Sequence, residues 1–428
     1  MSVHSRRENN AVTEGAGFEP ASNLAPKGAP VSRQRVGIVG AGVLGLAVAH
    51  RLQQRHPGVN VEVVEKEPAV AIHQTGRNSG VVHAGIYYPP GSQKAKLCVQ
   101  GGRQLREYCA GRGLVFEECG KLVVAREPDE VPRLHGLLER GRANGVRDLR
   151  WLDGGALGEF EPHARGVAAV HSPHTAIVDF VAISQQLARD VSEAGGSVWL
   201  GEQVHAVVQG AQSVTVDTSR RARTYDLVVA CAGLYADRVA RLVGDAADPA
   251  IVPFRGEYLA LRPERTHLVR GMIYPVPDPR YPFLGVHLTR RVGGGVILGP
   301  NAVLALSRQG YRRRDVDWAD LAETLRWPGF APLARQHWRT GAAELASSLS
   351  RRRFVALARR YVPELNLADV VPAPAGVRAQ AVDAHGRLVD DFRITRHGRM
   401  VNVRNAPSPA ATSSLAIADH IIDVLALG

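Results

Sequence analysis

The sequence predicts an α/β protein with an α+β insert, in which a parallel-sheet domain is interleaved with a domain built on an antiparallel sheet. Three observations carry that prediction. Residues 35–65 read as strand, glycine-rich turn, helix and second strand; residues 225–233 read as a lone apolar strand running into small residues; residues 251–300 read as short strands separated by turns. A chain of 428 residues exceeds the size at which one core usually keeps growing, so more than one domain is expected.

The first observation is the most specific. "RVGIVG" has the apolar run of a buried strand, "VLGLAVAHRLQQR" has helical spacing, "HPG" breaks the helix, and "VNVEVVE" returns as a strand. Between the first strand and the helix stand Gly40, Ala41, Gly42, Val43, Leu44 and Gly45, the G-x-G-x-x-G fingerprint of a Rossmann-like dinucleotide-binding unit. Gly40 permits the tight turn, Gly42 lets the backbone approach a pyrophosphate, and Gly45 lets the helix pack on the strand. The helix N-terminus then faces the phosphate charge. Glu65, with Lys66 beside it, closes the second strand where a carboxylate can accept ribose hydroxyls; an arginine there would have favoured a 2′-phosphate.

The remaining elements follow in chain order. Residues 1–34 are rich in Gly, Pro, Ser, Asn and Arg without hydrophobic period and read as a disordered leader. "TGRNSGVVHAGIYY" is a polar glycine loop: Thr75, Arg77, Asn78, Ser79, Gly80 and Val81 are expected along the pyrophosphate, delivering His83 to the reacting end, with Tyr87 and Tyr88 either lining the pocket or filling core. "GGSVWLGEQVHAVVQGAQSVTVDT" reads as a strand pair that brings Val204 to the cofactor. "TYDLVVACAG" ends in Ala232 and Gly233, small enough for close approach to a bound group.

Residues 304–365 read as helices carrying Trp318, Trp327, Trp338 and the basic runs 312–314 and 351–353. The segment from Arg312 to Tyr361 is either a membrane-surface element or helices with a solvated basic face. "PAGVRAQAVD" is strand-like and holds Gly376, Val377 and Arg378; "SPAAT", with Pro409, Ala410, Ala411 and Thr412, leads into an amphipathic helix whose positive dipole end suits an electron-rich ring edge. The expected domains are therefore 35–90, 150–250 and 366–428 for the dinucleotide, and 91–149 and 251–365 for the substrate.

Composition limits the function classes. Hydrophobic residues are 45% and charged residues 22%, the balance of a folded globular chain. No apolar run reaches the roughly 18 residues of a spanning helix and no secretion signal is visible, so a cytoplasmic location is expected, with peripheral contact at the inner face of the membrane as an extension. Cys98, Cys109, Cys119 and Cys231 show neither CxxC nor histidine spacing; they read as reduced, mostly buried thiols, and no metal is expected. The net charge is +12 and the only lysines are Lys27, Lys66, Lys94, Lys96 and Lys121. Such charge attracts anionic substrates, membranes or nucleic acid. Arginine is spread along the chain with no basic-aromatic module, so no nucleic-acid partner is expected; an RNA-binding reading rests on charge alone.

Taken with "TGRNSGVVHAGIYYPPGSQKAKLC", "GKLVVA", "YPVPDPRYPFLGVHLTR", "GVRAQAVD", "LVDDF" and "NAPSPAATSSLAI", the segment from Arg35 to Glu65 resembles the L-2-hydroxyglutarate oxidase/dehydrogenase family of the D-amino-acid-oxidase-like FAD superfamily, over roughly residue 33 to the C-terminus. The resemblance implies an FAD-binding domain with non-covalent FAD and oxidation of L-2-hydroxyglutarate to 2-oxoglutarate by hydride transfer from the substrate α carbon to flavin N5. Electrons would pass to a respiratory quinone or oxygen. An amino acid or secondary amine oxidase of the same superfamily is the alternative, and the leader departs from the family pattern.

An α-hydroxy acid oxidation needs a hydride acceptor, a base for the hydroxyl proton and a cation for the carboxylate. His83 is the expected base; a structural histidine or a covalent flavin tether are the other readings. Arg378 matches the superfamily position that grips the α-carboxylate, where a guanidinium binds bidentately. His287, Arg255 and Tyr258, on strands of the substrate domain, are candidates for the far carboxylate.

Overall fold

The computed structural model describes residues 34–278 and 285–427; the leader expected over 1–34 lies outside them except for Gln34. β1 (Gln34–Val39) buries its last four residues, α1 (Val43–Arg55) follows the glycine turn, and β2 (Val59–Val64) pairs with β1 in parallel. Strand Leu227–Ala230 pairs in parallel on the other side of β1, followed by Met400–Asn405; Ser197–Trp199 lies outside β2. Arg393–His397 closes the far edge antiparallel, making six strands. β1 thus lies inside the sheet between two parallel neighbours, and the space outside the C-terminal ends of such strands is where ligands bind in open sheets of this kind.

The second sheet has nine strands. Its long members, Ala250–Leu261 and Val370–Val382, run antiparallel and pair Phe254 with Arg378 and Gly256 with Gly376. Strands Val296–Gly299, His287–Arg290 and Met272–Pro275 continue the sheet to Lys121–Ala125. The contact between Met272–Pro275 and Lys121–Ala125 is parallel, so this sheet is not antiparallel throughout. Within the span 150–250, expected beside the dinucleotide, Arg150–Asp153 and Ala168–Ser172 hydrogen-bond to this second sheet instead, as does Val370–Val382 from the span 366–428. Their partners are distant in sequence, and strand patterning says nothing about which sheet completes a strand.

Other local differences have simple causes. The "strand pair" after Gly196 is one strand of the parallel sheet, Ser197–Trp199, and a three-stranded meander, Val204–Gln209, Val214–Thr218 and Ala222–Tyr225. In 304–365 the helices are Trp318–Arg326, Phe330–Leu349 and Arg351–Arg359; between Leu304 and Trp318 the chain is irregular, held by Asp320, whose carboxylate accepts the Arg308 N–H at 2.7 Å. Asp179 starts helix Phe180–Glu193 by accepting the Val181 and Ala182 N–H groups. That helix and Ser414–Leu425 cover α1 on the parallel sheet, in a core of Leu46, Leu52, Ile183, Leu187, Ile417 and Ile421, each worth about 1.5–3 kcal/mol when fully buried.

Candidate active site

A cavity of about 1190 Å³ opens at the C-terminal end of β1 and continues between the two sheets. It exceeds the ~300–1,000 Å³ of a single drug-sized pocket, leaving room for a dinucleotide and a small acid together.

At one end the fingerprint is built as its residues dictate. Gly40 has φ +103°, and a Cβ there would fall 2.5 Å from the Cys231 carbonyl oxygen; a Cβ on Gly45 would collide with the Gly40 carbonyl. A Cβ on Gly42 would meet only the Thr75 hydroxyl, at 3.3 Å, so that glycine keeps the cavity wall open rather than the protein packed. The Gly40 N–H donates to Val64 O (2.8 Å), Ala41 N–H to the Glu65 carboxylate (2.7 Å), and Val43 N–H to Thr75 Oγ1 (3.1 Å). The wall amides of Gly42 and Leu44 have no acceptor among the described residues and are placed for an anion.

The expected cofactor residues divide. Gly40, Gly42, Val43, Leu44, Gly45, Glu65, Lys66, Thr75, Arg77, Asn78, Ser79, Val81, Val204, Ala232, Gly233, Gly376, Val377, Pro409, Ala410, Ala411 and Thr412 line the cavity. Ala41 and Gly80 lie off the wall. Ala41 is fully buried, and Gly80 is pinned by its N–H to Asn78 Oδ1 and by its carbonyl, which accepts the Val178 N–H. Glu65 already accepts the Ala41 and Glu67 amides, so only its remaining lone pairs serve a ribose. Asn78 donates to the Gln74 and Thr75 carbonyls and thus shapes the glycine loop. Helix Ser414–Leu425 begins past "SPAAT", whose turn binds the amides of Ala410, Ser413 and Ser414 to the carbonyls of Pro407, Pro409 and Ala411. The local amides at Ser413 and Ser414 are therefore not offered to the cavity.

At the other end the structure gathers Arg378, Tyr258, Tyr274, His287 and His83. Burial lowers His83 to about 3, with the neighbouring Lys121 and His287 adding to the effect. Burial likewise lowers His287 to about 3, reinforced by Arg378 and Lys121 and opposed by the Gly285 carbonyl. Both imidazoles are therefore neutral at physiological pH. His287 Nδ1 lies 2.9 Å from Gly285 O; a carbonyl only accepts, so Nδ1 carries the proton and Nε2 keeps its lone pair. His83 is held through its backbone, its N–H donating to Thr412 Oγ1 at 3.1 Å and its carbonyl facing Cys98 Sγ at 3.2 Å, while its Nε2 lies 3.4 Å from Ser408 Oγ. Tyr87 and Tyr88 line the same space.

Arg255 does not join them. Side chains alternate along strand Ala250–Leu261, so Gly256 and Tyr258 face the cavity while Arg255 points to the other face. There it donates to the Arg312 carbonyl (3.0 Å) and Glu257 (3.2 Å). Sequence reasoning also passed over Tyr274, Lys94, Arg133, Arg140 and Arg404, all on the cavity wall, and Lys121 behind it. Lys121 left a signal, a lone lysine heading the apolar run "KLVVA". All four cysteines are free thiols. Among the described residues no helix is long and apolar enough to cross a membrane.

Comparison with known proteins adds to this geometry. The model of the family described as FAD dependent oxidoreductase matches residues 35–424. L-2-hydroxyglutarate dehydrogenase of Indibacter alkaliphilus is 46% identical over 387 residues, covering 90% of this chain and 97% of that protein. The human mitochondrial L-2-hydroxyglutarate dehydrogenase is 46% identical, with 90% and 87% covered, and that of Escherichia coli 41% identical, with 90% and 91% covered. Among solved structures, L-alpha-glycerophosphate oxidase from Mycoplasma pneumoniae with FAD bound superposes with a TM-score of 0.74 at 23% identity, covering 92% of this chain and 95% of that one. Glycine oxidase from Geobacillus kaustophilus gives 0.68 at 18% identity over the same shares.

Proposed function

Because this chain belongs to the FAD-dependent oxidoreductases, among the L-2-hydroxyglutarate dehydrogenases, we propose that it oxidises L-2-hydroxyglutarate to 2-oxoglutarate. The observation that carries this reading within the molecule is the cavity corner where one arginine, Arg378, stands with two imidazoles kept neutral by burial. The Gly40–Gly45 turn, Glu65, Val204, Ala232 and the Ala410–Thr412 turn would hold FAD, non-covalently on this reading, and the open wall at Gly42 fits a group that approaches the backbone closely. When bound, FAD supplies the hydride acceptor, flavin N5.

The chain's own residues do the rest. The Arg378 guanidinium grips the α-carboxylate through two N–H groups, which fixes the direction of the Cα–H bond. A neutral imidazole takes the hydroxyl proton; we assign this to His83. His287 is the second candidate, because the Gly285 carbonyl holds it in the tautomer with a free Nε2. Tyr258 and His287, both on the cavity wall, are assigned to the far carboxylate.

Anaerobic mixing of the purified yellow protein with a substrate panel tests the reading. L-2-hydroxyglutarate bleaches the flavin band, and glycine, sarcosine and proline do not. Bleaching by one of the amines instead assigns the chain to amine oxidation.

For the electron acceptor we favour a quinone reached from the membrane surface, with oxygen as the slower route. The supporting feature is a set of exposed residues on three consecutive helices, Trp318 (77% exposed), Trp338 (63%) and Leu349 (68%), with Arg335, Arg339 and Arg351–Arg353 also exposed. The protein is expected to cosediment with phosphatidylglycerol vesicles and to lose this in the double variant Trp338→Ser, Leu349→Ser. Wild-type protein that stays in the supernatant rejects the membrane route.

A further inference from the structure

Behind the catalytic corner lies a cation that the reading above does not use. Lys121 heads strand Lys121–Ala125, every residue of which is buried, and is itself only 2% exposed. Its Nζ stands 4.7 Å from the centre of the Tyr274 ring and 4.9 Å from that of Tyr87. Among the described residues it has no hydrogen bond and no ion pair. Two ring faces offset only part of the cost of burying an ammonium, and buried charges are otherwise paired.

None of the elements packed around Lys121 supplies the missing anion. Cys98, on α2 (Gln93–Arg112), is pushed up by burial to about 12 and stays a thiol. Tyr87 and Tyr274 are likewise pushed up by burial and stay phenols, while His83 and His287 are neutral, and the next charge beyond them, Arg378, is a second cation. Burial lowers Lys121 itself to about 8, which leaves it largely protonated at neutral pH. His287 thus feels two positive charges, Arg378 and Lys121, and its ring packs on Tyr274 with centroids 4.0 Å apart. All four of the side chains next to Lys121 that line the cavity, His83, Tyr87, Tyr274 and His287, are uncharged.

We propose that Lys121 is a positioning residue for a dianionic substrate: from behind the wall of Tyr87, Tyr274 and His287 it supplies a second positive charge that Arg378 alone cannot, and so selects a dicarboxylate over a monocarboxylate. The counter-ion of the buried ammonium arrives with the substrate. This inference rests on the functional reading above and adds its specificity element.

Glutarate, a dicarboxylate without the oxidisable hydroxyl, and butyrate, its monocarboxylate counterpart, are the probes, titrated into FAD-loaded protein by the change in the flavin spectrum. In Lys121→Met, glutarate binding weakens by about tenfold or more while butyrate binding changes by less than about threefold, and Lys121→Arg restores glutarate binding. The melting temperature of Lys121→Met at pH 7 equals or exceeds that of wild type, because the substitution removes an unpaired buried charge. Wild-type glutarate affinity falls between pH 7 and 9.5, as Lys121 loses its proton, and that of Lys121→Met does not. Equal losses for both probes, or a wild-type response to glutarate in Lys121→Met, overturn the inference. Should Lys121→Met fail to load FAD, the wild-type titration decides alone, a flat profile overturning it. Wild type that is bleached by L-2-hydroxyglutarate while Lys121→Met binds like wild type defeats this inference only; wild type blind to both acids defeats the parent reading with it.

Discussion

His83→Gln yields a folded, yellow protein whose flavin is bleached by L-2-hydroxyglutarate about 10²–10⁴-fold more slowly than in wild type, the range associated with losing a general base. Glutamine fills the space but cannot take a proton. Folding is expected to survive because His83 is anchored by its backbone, through Thr412 Oγ1 and Cys98 Sγ, rather than by its ring. His287→Gln, measured alongside, is the control that assigns the role. A large loss there with little change in His83→Gln moves the base to His287. The pH profile is part of the same expectation: burial holds both rings near 3, so at saturating substrate bleaching in wild type stays level from pH 7 down to about 5 with no inflection at the ordinary imidazole value. The sign for stability is the reverse. Below 6.5 the unfolded chain takes up protons that the folded histidines refuse, so stability drops as pH falls from 6.5 toward 3.

Arg378→Met lowers kcat/KM for L-2-hydroxyglutarate by about 30- to 5,000-fold, the equivalent of roughly 2–5 kcal/mol for removing one partner of a buried charge pair. FAD loading, read from flavin absorbance, is unchanged if the side chain serves the substrate. Arg378→Lys recovers part of the loss, since it returns the charge without the planar fork. The side chain sits on strand Val370–Val382, opposite Phe254, and its charge reaches Tyr258, Tyr274 and His287. An unchanged KM in Arg378→Met would remove it from substrate binding.

Much of this site was legible in the sequence because its chemistry is local. The glycine turn requires particular residues within six positions, Gly40 for its φ and Gly45 for helix–strand contact, and a strand or helix reveals itself by its own period. Arg378 and His83 entered through the family resemblance of "GVRAQAVD" and "TGRNSGVVHAGIYY", and the structure brings both to the cavity wall. Arg255 misled because "PFRGEYLAL" has no wholly polar phase: Phe254, Gly256, Tyr258 and Ala260 share one, and Arg255 and Glu257 share the other with Leu259 and Leu261. Burial on both sides of the strand erases the alternation that would tell which face an arginine takes, and one residue of phase separates Arg255 from the wall that Gly256 occupies.

By itself, then, the sequence determined the βαβ unit of residues 35–65 and the glycine turn between its first strand and its helix. Each depends on contacts between residues near one another along the chain. Only the tertiary structure decided that strands Arg150–Asp153 and Ala168–Ser172 join the second sheet, that Arg255 faces away, and that Lys121 lies buried against Tyr87 and Tyr274. Those outcomes depend on which distant strands complete a sheet and on how far water is excluded from the space between them, and neither quantity is encoded in any local window of residues.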